Sequence, residues 1–520
     1  MVLLLVVATF VTIFLSIRRV YFRRHQRYYE LLKQFPSPPT YPFIGNLKPS
    51  HFVSDDFLKT FEELLKSHDR LVYWIGPKPI LLLKNFDDIS TILHQNSDRN
   101  FFGLGNQWFG EGIVTNRYAE WKKSKKLLTP AFSSEMLFKY CDVFNRKSSA
   151  LVQQLKSFAG SGEEIDIHEY VMNTNVEVIL ENVMGVSTEK SGKEVKGFGV
   201  ALEHGIQDVL KRHVSPWLYP HIIYSTYLKL SGRMKFVETL KRLPEEVVKE
   251  TIIKVNNDTC STENVDSSKC VVDLLIKARH QDSCFTETRL RDELLQVIST
   301  GSETSALNVS FTLLMLAIHQ DIQVCNSYRF HNTKNDCYII LQQKVYEEIT
   351  QLVGEHEEFT SDHLFNHLKY LEQCIRETLR MFNPAASILR QTQKEHVLKD
   401  NTIVPADLSI GIVFHLAHRD TALYENPHKW NPENFSTQAI ASRPKGSDLN
   451  FSIGPRSCIG TKYAILSNKS QIAQIIHNYH LSTSIKELKP EYLKMDISIR
   501  SKVGFPIRFT HRKKTRPENI

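Results

Sequence analysis

A mainly helical α+β fold, built as one large domain, is what this sequence predicts. Apolar residues recur at helical spacing, as at Leu368, Leu371, Ile375 and Leu379 on one face. A second helical pattern runs through the apolar stretch from Leu294 to Ile318. Only short β-branched runs, Leu71 to Leu83 and Ile403 to Phe414, read as strands, so sheet is the minor component.

Composition bounds the classes that remain. The chain has 520 residues, 42% hydrophobic and 23% charged, which is globular and excludes a disordered, collagen-like or polytopic membrane protein. Six basic groups and one acid within residues 1–33, with four and one within 512–520, account for the whole net charge of +8. The body is therefore neutral, and a nucleic-acid partner drops out. The eight cysteines contain no CxxC pair, which argues against a zinc ribbon or a disulfide scaffold.

The N-terminus reads as a membrane anchor. Residues 1–17 carry no charge and are followed by Arg18, Arg19, Arg23, Arg24 and Arg27. A cleaved signal peptide needs basic residues before its apolar run and small residues after it, and neither is present. Basic residues on the C-terminal side keep the body in the cytosol. Residues 18–42 form a basic, Pro-rich linker, whose Pro36, Pro38, Pro39 and Pro42 favour a stiff extended path. No repeat or composition shift divides the remainder of the chain, so residues 43–520 form one domain.

The decisive pattern is Phe451-Ser452-Ile453-Gly454-Pro455-Arg456-Ser457-Cys458-Ile459-Gly460. A cysteine after a Gly/Pro turn, with a helical pattern (Lys462 to Ile475) just beyond, meets the positive end of a helix dipole that stabilises a thiolate ligand. The glycines let a flat, bulky group approach the backbone, and Arg456 can pair with a carboxylate on it. Five specified positions match by chance on the order of once in ten thousand chains of this length, so the signal is specific.

This stretch resembles the haem-cysteine signature FxxGxRxCxG of the cytochromes P-450, and the resemblance covers essentially the whole chain, most closely the clan around the fourth microsomal family. It implies the large helical P-450 fold around a b-type haem, with Cys458 as axial thiolate and Phe451 and Gly460 completing the loop. It also implies an endoplasmic reticulum membrane enzyme, its catalytic domain cytosolic. Such enzymes use NADPH-derived electrons from a cytochrome P-450 reductase, or in part from cytochrome b5, to insert one oxygen atom of dioxygen into a lipophilic substrate.

Further motifs stand in family order. Glu377 and Arg380 match the buried ExxR pair, which is structural. Its third partner is usually an Arg in a PERF-like segment, but Trp430-Asn431-Pro432-Glu433-Asn434-Phe435 has Asn434 there, and another group, such as Arg443, is expected to complete the triad. Thr300-Gly301-Ser302-Glu303-Thr304-Ser305 resembles the oxygen-activating stretch, read as an interruption of the long helix, with Glu303 the acid and Thr304 the hydroxyl of a proton relay. Thr300 occupies the position where some fourth-family members carry a haem-esterifying glutamate, so the haem is expected to be non-covalent. Trp121 and Lys125 match WxxxR with lysine for arginine, which supplies charge without the planar fork. Arg390 matches a second propionate partner. The neighbouring lysines read equally as a solvated face or as a reductase-docking patch, and His418-Arg419-Asp420 is assigned no chemistry.

Substrate contacts are expected from Phe101 to Asn116, Val209 to Tyr227 and Ala385 to Leu389, whose apolar character implies a lipophilic substrate. Residues 324–342 interrupt a family-like helix junction and read as a retained intron, Cys325 and Cys337 with them. Two alternatives remain: a non-catalytic haem- or lipid-binding descendant, and a reductase-independent peroxide isomerase of the same fold, against which the acid–threonine pair argues.

Overall fold

The computed structural model describes residues 25–41, 44–47, 57–95, 97–98, 103–185, 197–257, 270–281, 285–319, 341–354 and 358–512. The anchor (1–17) and most of the 324–342 segment lie outside these. Among the described residues no helix is long and apolar enough to cross a membrane.

Among the described residues helices dominate, with four small sheets beside them. The helices that frame the site are α1 (Gln26–Leu32), α2 (Phe86–Leu93), α3 (Tyr118–Leu128), α4 (Ser134–Leu155), α5 (Ile167–Met184), α6 (Phe198–Val214), α7 (His221–Leu230), α8 (Glu287–Ile318), α9 (Leu341–Val353), α10 (Lys369–Met381) and α11 (Thr461–Asn478). Capping starts several of them: Ser133 accepts the Met136 N–H before α4, and Thr286 accepts that of Arg289 before α8.

Helix α8 is the axis of the molecule. It packs against α5, α10 and α11, and its flank from Ala306 to Ala317 is buried without interruption. A mostly apolar helix belongs in the interior, and its few polar groups are paired: Thr312 donates to the Asn308 carbonyl at 2.7 Å and the Asn308 side chain accepts from Asn468 at 2.7 Å. By contrast α10 leaves Lys369, Glu372, Gln373 and Arg376 less than fully buried in its first half and is buried all round from Glu377 to Met381; the predicted Leu371, Ile375 and Leu379 are buried.

The largest sheet has four strands: β1 (Arg70–Ile75), β2 (Lys78–Leu83), β3 (Ser387–Gln391) and β4 (Ser409–Val413), arranged in the order β1-β2-β4-β3. Its β1–β2 hairpin turns at Gly76, and β4 runs parallel to β2 with all five residues buried, as a central strand should be. Near the C-terminus, β5 (Leu493–Met495) and β6 (Ile499–Ser501) form an antiparallel hairpin that pairs Lys494 with Arg500.

The Pro-rich stretch is fastened to the domain. Pro36 accepts the Val72 N–H at 2.8 Å, the Asn46 side chain donates to Pro38 and Pro39 at 2.9 Å each, and Leu32 and Phe35 are buried in the core. Two residues of the 324–342 segment are also built into the fold. Leu341 opens α9 and is buried, while Gln342 donates to the carbonyls of Leu316 (3.2 Å) and Leu481 (3.0 Å) and accepts from Leu481 N–H at 2.9 Å.

Candidate active site

The cysteine loop is shaped by its backbone. Gly454 has φ +77°, and a side chain there would drive Cβ into the Leu93 carbonyl at the end of α2, so only glycine fits. The Cys458 N–H closes the loop onto Phe451 at 3.0 Å, and Thr461 Oγ1 donates to the Cys458 carbonyl at 3.0 Å where α11 begins. Gly460 sits at the N-cap of α11, directing its positive end at the cysteine. Cys458 is exposed, while Cys141 and Cys374 are buried and Cys270 partly so. Burial pushes the Cys141 thiol up to about 12, and that of Cys374 well above its ordinary value.

Helix α3 forms a wall against this loop. Arg456, buried, stacks 4.6 Å from the Trp121 ring and donates to the Asn116 carbonyl at 3.0 Å. Lys125 Nζ lies 5.2 Å from the same ring and donates to the Pro455 carbonyl at 2.6 Å. The structure thus brings Trp121, Lys125, Arg456 and the Cys458 loop together. Arg390 is held separately on β3, buried, with one guanidinium N–H on the Leu389 carbonyl at 2.9 Å.

On α8, the residues from Asp292 to Ser299 and from Ser305 to Ala317 are buried; Thr300, Gly301 and Thr304 are the exceptions, so the helix opens there. The expected interruption does not occur: α8 runs unbroken from Glu287 to Ile318. The hydroxyls of Thr300, Ser302 and Thr304 donate to the carbonyls four residues back at 2.6, 2.7 and 2.6 Å, so the polar stretch satisfies itself within the helix. Glu303 projects about 100° from its neighbour Thr304 and is buried, receiving Arg500 from β6 at 2.5 Å. Burial raises its carboxyl above the ordinary range, Arg500 pulls it back, and Glu203 and Asp496 push it up again.

Below the loop, Glu377 and Arg380 form a fully buried bidentate pair at 2.7 and 2.8 Å, and the guanidinium also binds the carbonyls of His418, Pro427 and Lys429. The triad is completed by Asn434 itself, whose side chain donates to Glu377 Oε1 at 3.1 Å, joined by the Asn431 N–H at 2.8 Å. Arg443, the expected substitute, instead donates to the Asn434 carbonyl at 2.7 Å and stacks on Tyr424. A short amide on the right turn reaches where a distant guanidinium need not.

Sequence reasoning missed two sets of residues. Asp292, Glu293 and Gln296 on α8 accept the N–H groups of Glu111 (3.1 Å), Ile113 (2.8 Å) and Val114 (2.7 Å), and so lash the 110–116 loop to the helix. Glu293 also takes the Ser124 hydroxyl from α3. Their spacing on one helix face was the available signal. The other set, Arg500 with Glu203, left none. Two of the three predicted substrate segments, 101–116 and 209–227, are knitted together by Trp108 Nε1 donating to Tyr224 (2.9 Å) and Arg212 to the Leu104 carbonyl (2.9 Å).

The residues present fit a haem: an exposed thiol at a helix N-terminus, an indole and cations from α3, β3 and the cysteine loop suited to propionates, and an open stretch on α8. This is the frame of a haem-thiolate protein. The Cytochrome P450 family profile matches residues 35–324 and 340–505, and the chain belongs to that family. It is 24% identical to Cytochrome P450 4g15 of Drosophila melanogaster across 93% of each chain. With Cytochrome P450 4c3 of the same fly it shares 26%, over 95% of this chain and 92% of the other. With Cytochrome P450 4c21 of Blattella germanica it shares 25%, over 91% and 92%. The protein is accordingly a haem monooxygenase, resembling fourth-family members. The family match breaks off between 324 and 340, inside the segment read as an insertion.

Proposed function

We propose that this protein hydroxylates or epoxidises a lipophilic substrate at a haem held by Cys458, drawing NADPH-derived electrons from a flavoprotein reductase, with its domain on the cytosolic face of the endoplasmic reticulum membrane. The observation that carries this reading is the exposed Cys458 thiol in a loop otherwise fixed by its backbone. When bound, the haem supplies dioxygen binding and activation.

The protein's own groups do the rest. The N-terminus of α11 favours an anionic sulfur at Cys458. Trp121, Lys125, Arg456 and Arg390 hold the propionates, Lys125 as a point charge rather than a fork. Thr304 presents its hydroxyl on the open stretch of α8, and Glu303 supplies the proton. Thr300 has no carboxylate to esterify the haem, which stays non-covalent. Trp217, Ile222 and Leu230 are exposed apolar residues around α7, which supports contact with lipid.

The test is reconstitution with reductase and NADPH under labelled dioxygen across a panel of fatty acids and other lipophiles. One labelled oxygen in a product is the expected result; NADPH consumption without labelled product across the panel sinks the reading. We further propose that the 324–342 segment, apart from its packed end at Leu341 and Gln342, derives from a retained intron. Transcript reads spanning the whole segment as the major species would refute this.

A further inference from the structure

Glu303 is sealed from solvent, and the group that reaches it comes from a different part of the chain. Arg500 sends Nη2 to Glu303 at 2.5 Å and Nη1 to Glu203 on α6 at 3.2 Å. Arg500 is buried, whereas the Glu203 side chain is 39% exposed, so one guanidinium bridges an inner and an outer carboxylate. Lys494, facing Arg500 across the hairpin, lies 3.8 Å from the same Glu203 oxygen. The other titratable groups near the bridge are Asp496 at the hairpin turn, His168 on α5 and His204 beside Glu203 on α6; Asp496 disfavours the ionised Glu303, Arg500 disfavours a charged His168, and Glu203 favours a charged His204.

We propose that Arg500 is a positioning residue shared between Glu303 and Glu203, so that the placement of α6 against the β5–β6 hairpin sets how firmly Glu303 is held. The idea rests on the reading of Glu303 as the acid. With α6 drawn away, the whole guanidinium serves Glu303, which stays ionised and bound to Arg500. With Glu203 close, Arg500 is divided, and a carboxylate sealed in the interior takes up a proton. That proton is exchanged with solvent at the half-exposed Glu203 end of the bridge; only an O–H bond forms or breaks, and no electron moves. Because α6 carries Val209 and leads into the segment expected to meet substrate, filling of the site is coupled to the readiness of the acid.

The experiment is infrared difference titration of the full-length haem-loaded protein, with E303Q identifying the Glu303 carboxyl band. R500Q raises the pH at which that band disappears by roughly 1–3 units. E203Q lowers it, because Arg500 is no longer divided. The E203Q effect vanishes in the R500Q background, whereas direct repulsion between the two carboxylates would persist there. If R500Q does not fold, R500K replaces it, with a smaller rise and a diminished E203Q effect. An unmoved band in the Arg500 variant, or an E203Q shift that survives without Arg500, overturns the proposal. Product formation by E303Q tests the underlying reading separately: full yield there sinks Glu303 as the acid, whatever the band does.

Discussion

The two sides of the site are built by opposite means. Around Cys458 the chain holds itself: turns, glycines and a helix start lie within ten residues, and the neighbouring α3 adds contacts to Pro455 and Arg456. Around Glu303 nothing local suffices, and the geometry depends on Arg500, almost two hundred positions away, and on Glu203 a hundred positions upstream. Backbone-fixed sites tolerate little substitution but resist their surroundings; a site fixed by distant ion pairs answers to whatever moves its partners.

Perturbing the backbone-fixed side should have the largest effects. C458S removes the sulfur of the loop and should abolish monooxygenase turnover while leaving the fold intact, as checked by circular dichroism alongside activity. Removing one member of the buried pair beneath it, as in E377A, should cost about 3–5 kcal/mol by leaving Arg380 uncompensated, measured by denaturant unfolding. G454A forces a Cβ against the Leu93 carbonyl at φ +77° and should cost about 1–3 kcal/mol together with haem retention. An unchanged unfolding midpoint in G454A would show that the loop is not held as described.

Acid sensitivity sharpens the other side. Burial, with Arg500 adding to it, holds His168 near pKa 3, against an ordinary 6.5. Its folded value is depressed, so the native state refuses a proton that the unfolded chain accepts. The resulting stability is intact above about pH 6.5 and falls as pH drops toward 3, by about 1.4 kcal/mol per unit. Replacing His168 with glutamine should flatten that slope by one proton, read from unfolding at stepped pH; an unaltered slope would mean that His168 is charged in the fold. The smallest effect expected is at α3: K125A loses a partly exposed contact and weakens haem retention by about 1 kcal/mol, while K125R stays close to wild type.

The same contrast explains what could be read from the sequence. The cysteine loop was legible because its requirements are local: a positive φ demands glycine, and a helix start demands a turn. The helical character of α8 was legible from its apolar run, but the polar stretch at Thr300–Thr304 was misread as a break. Hydroxyls bonding to carbonyls four residues back let the helix continue, which residue type alone does not disclose. Asn434 against Arg443 turned on reach, decided by where one 3₁₀ turn sets an amide. Arg500 was invisible, since an arginine in a short hairpin carries no mark of the acid it meets.

The most direct test of the central claim, that Cys458 is the thiolate of a bound haem, is the reduced carbon monoxide difference spectrum of the purified protein beside C458S. A thiolate-type band in the wild type that is lost in C458S is the predicted result. A wild type without that band, or a C458S variant that keeps it, would contradict the account.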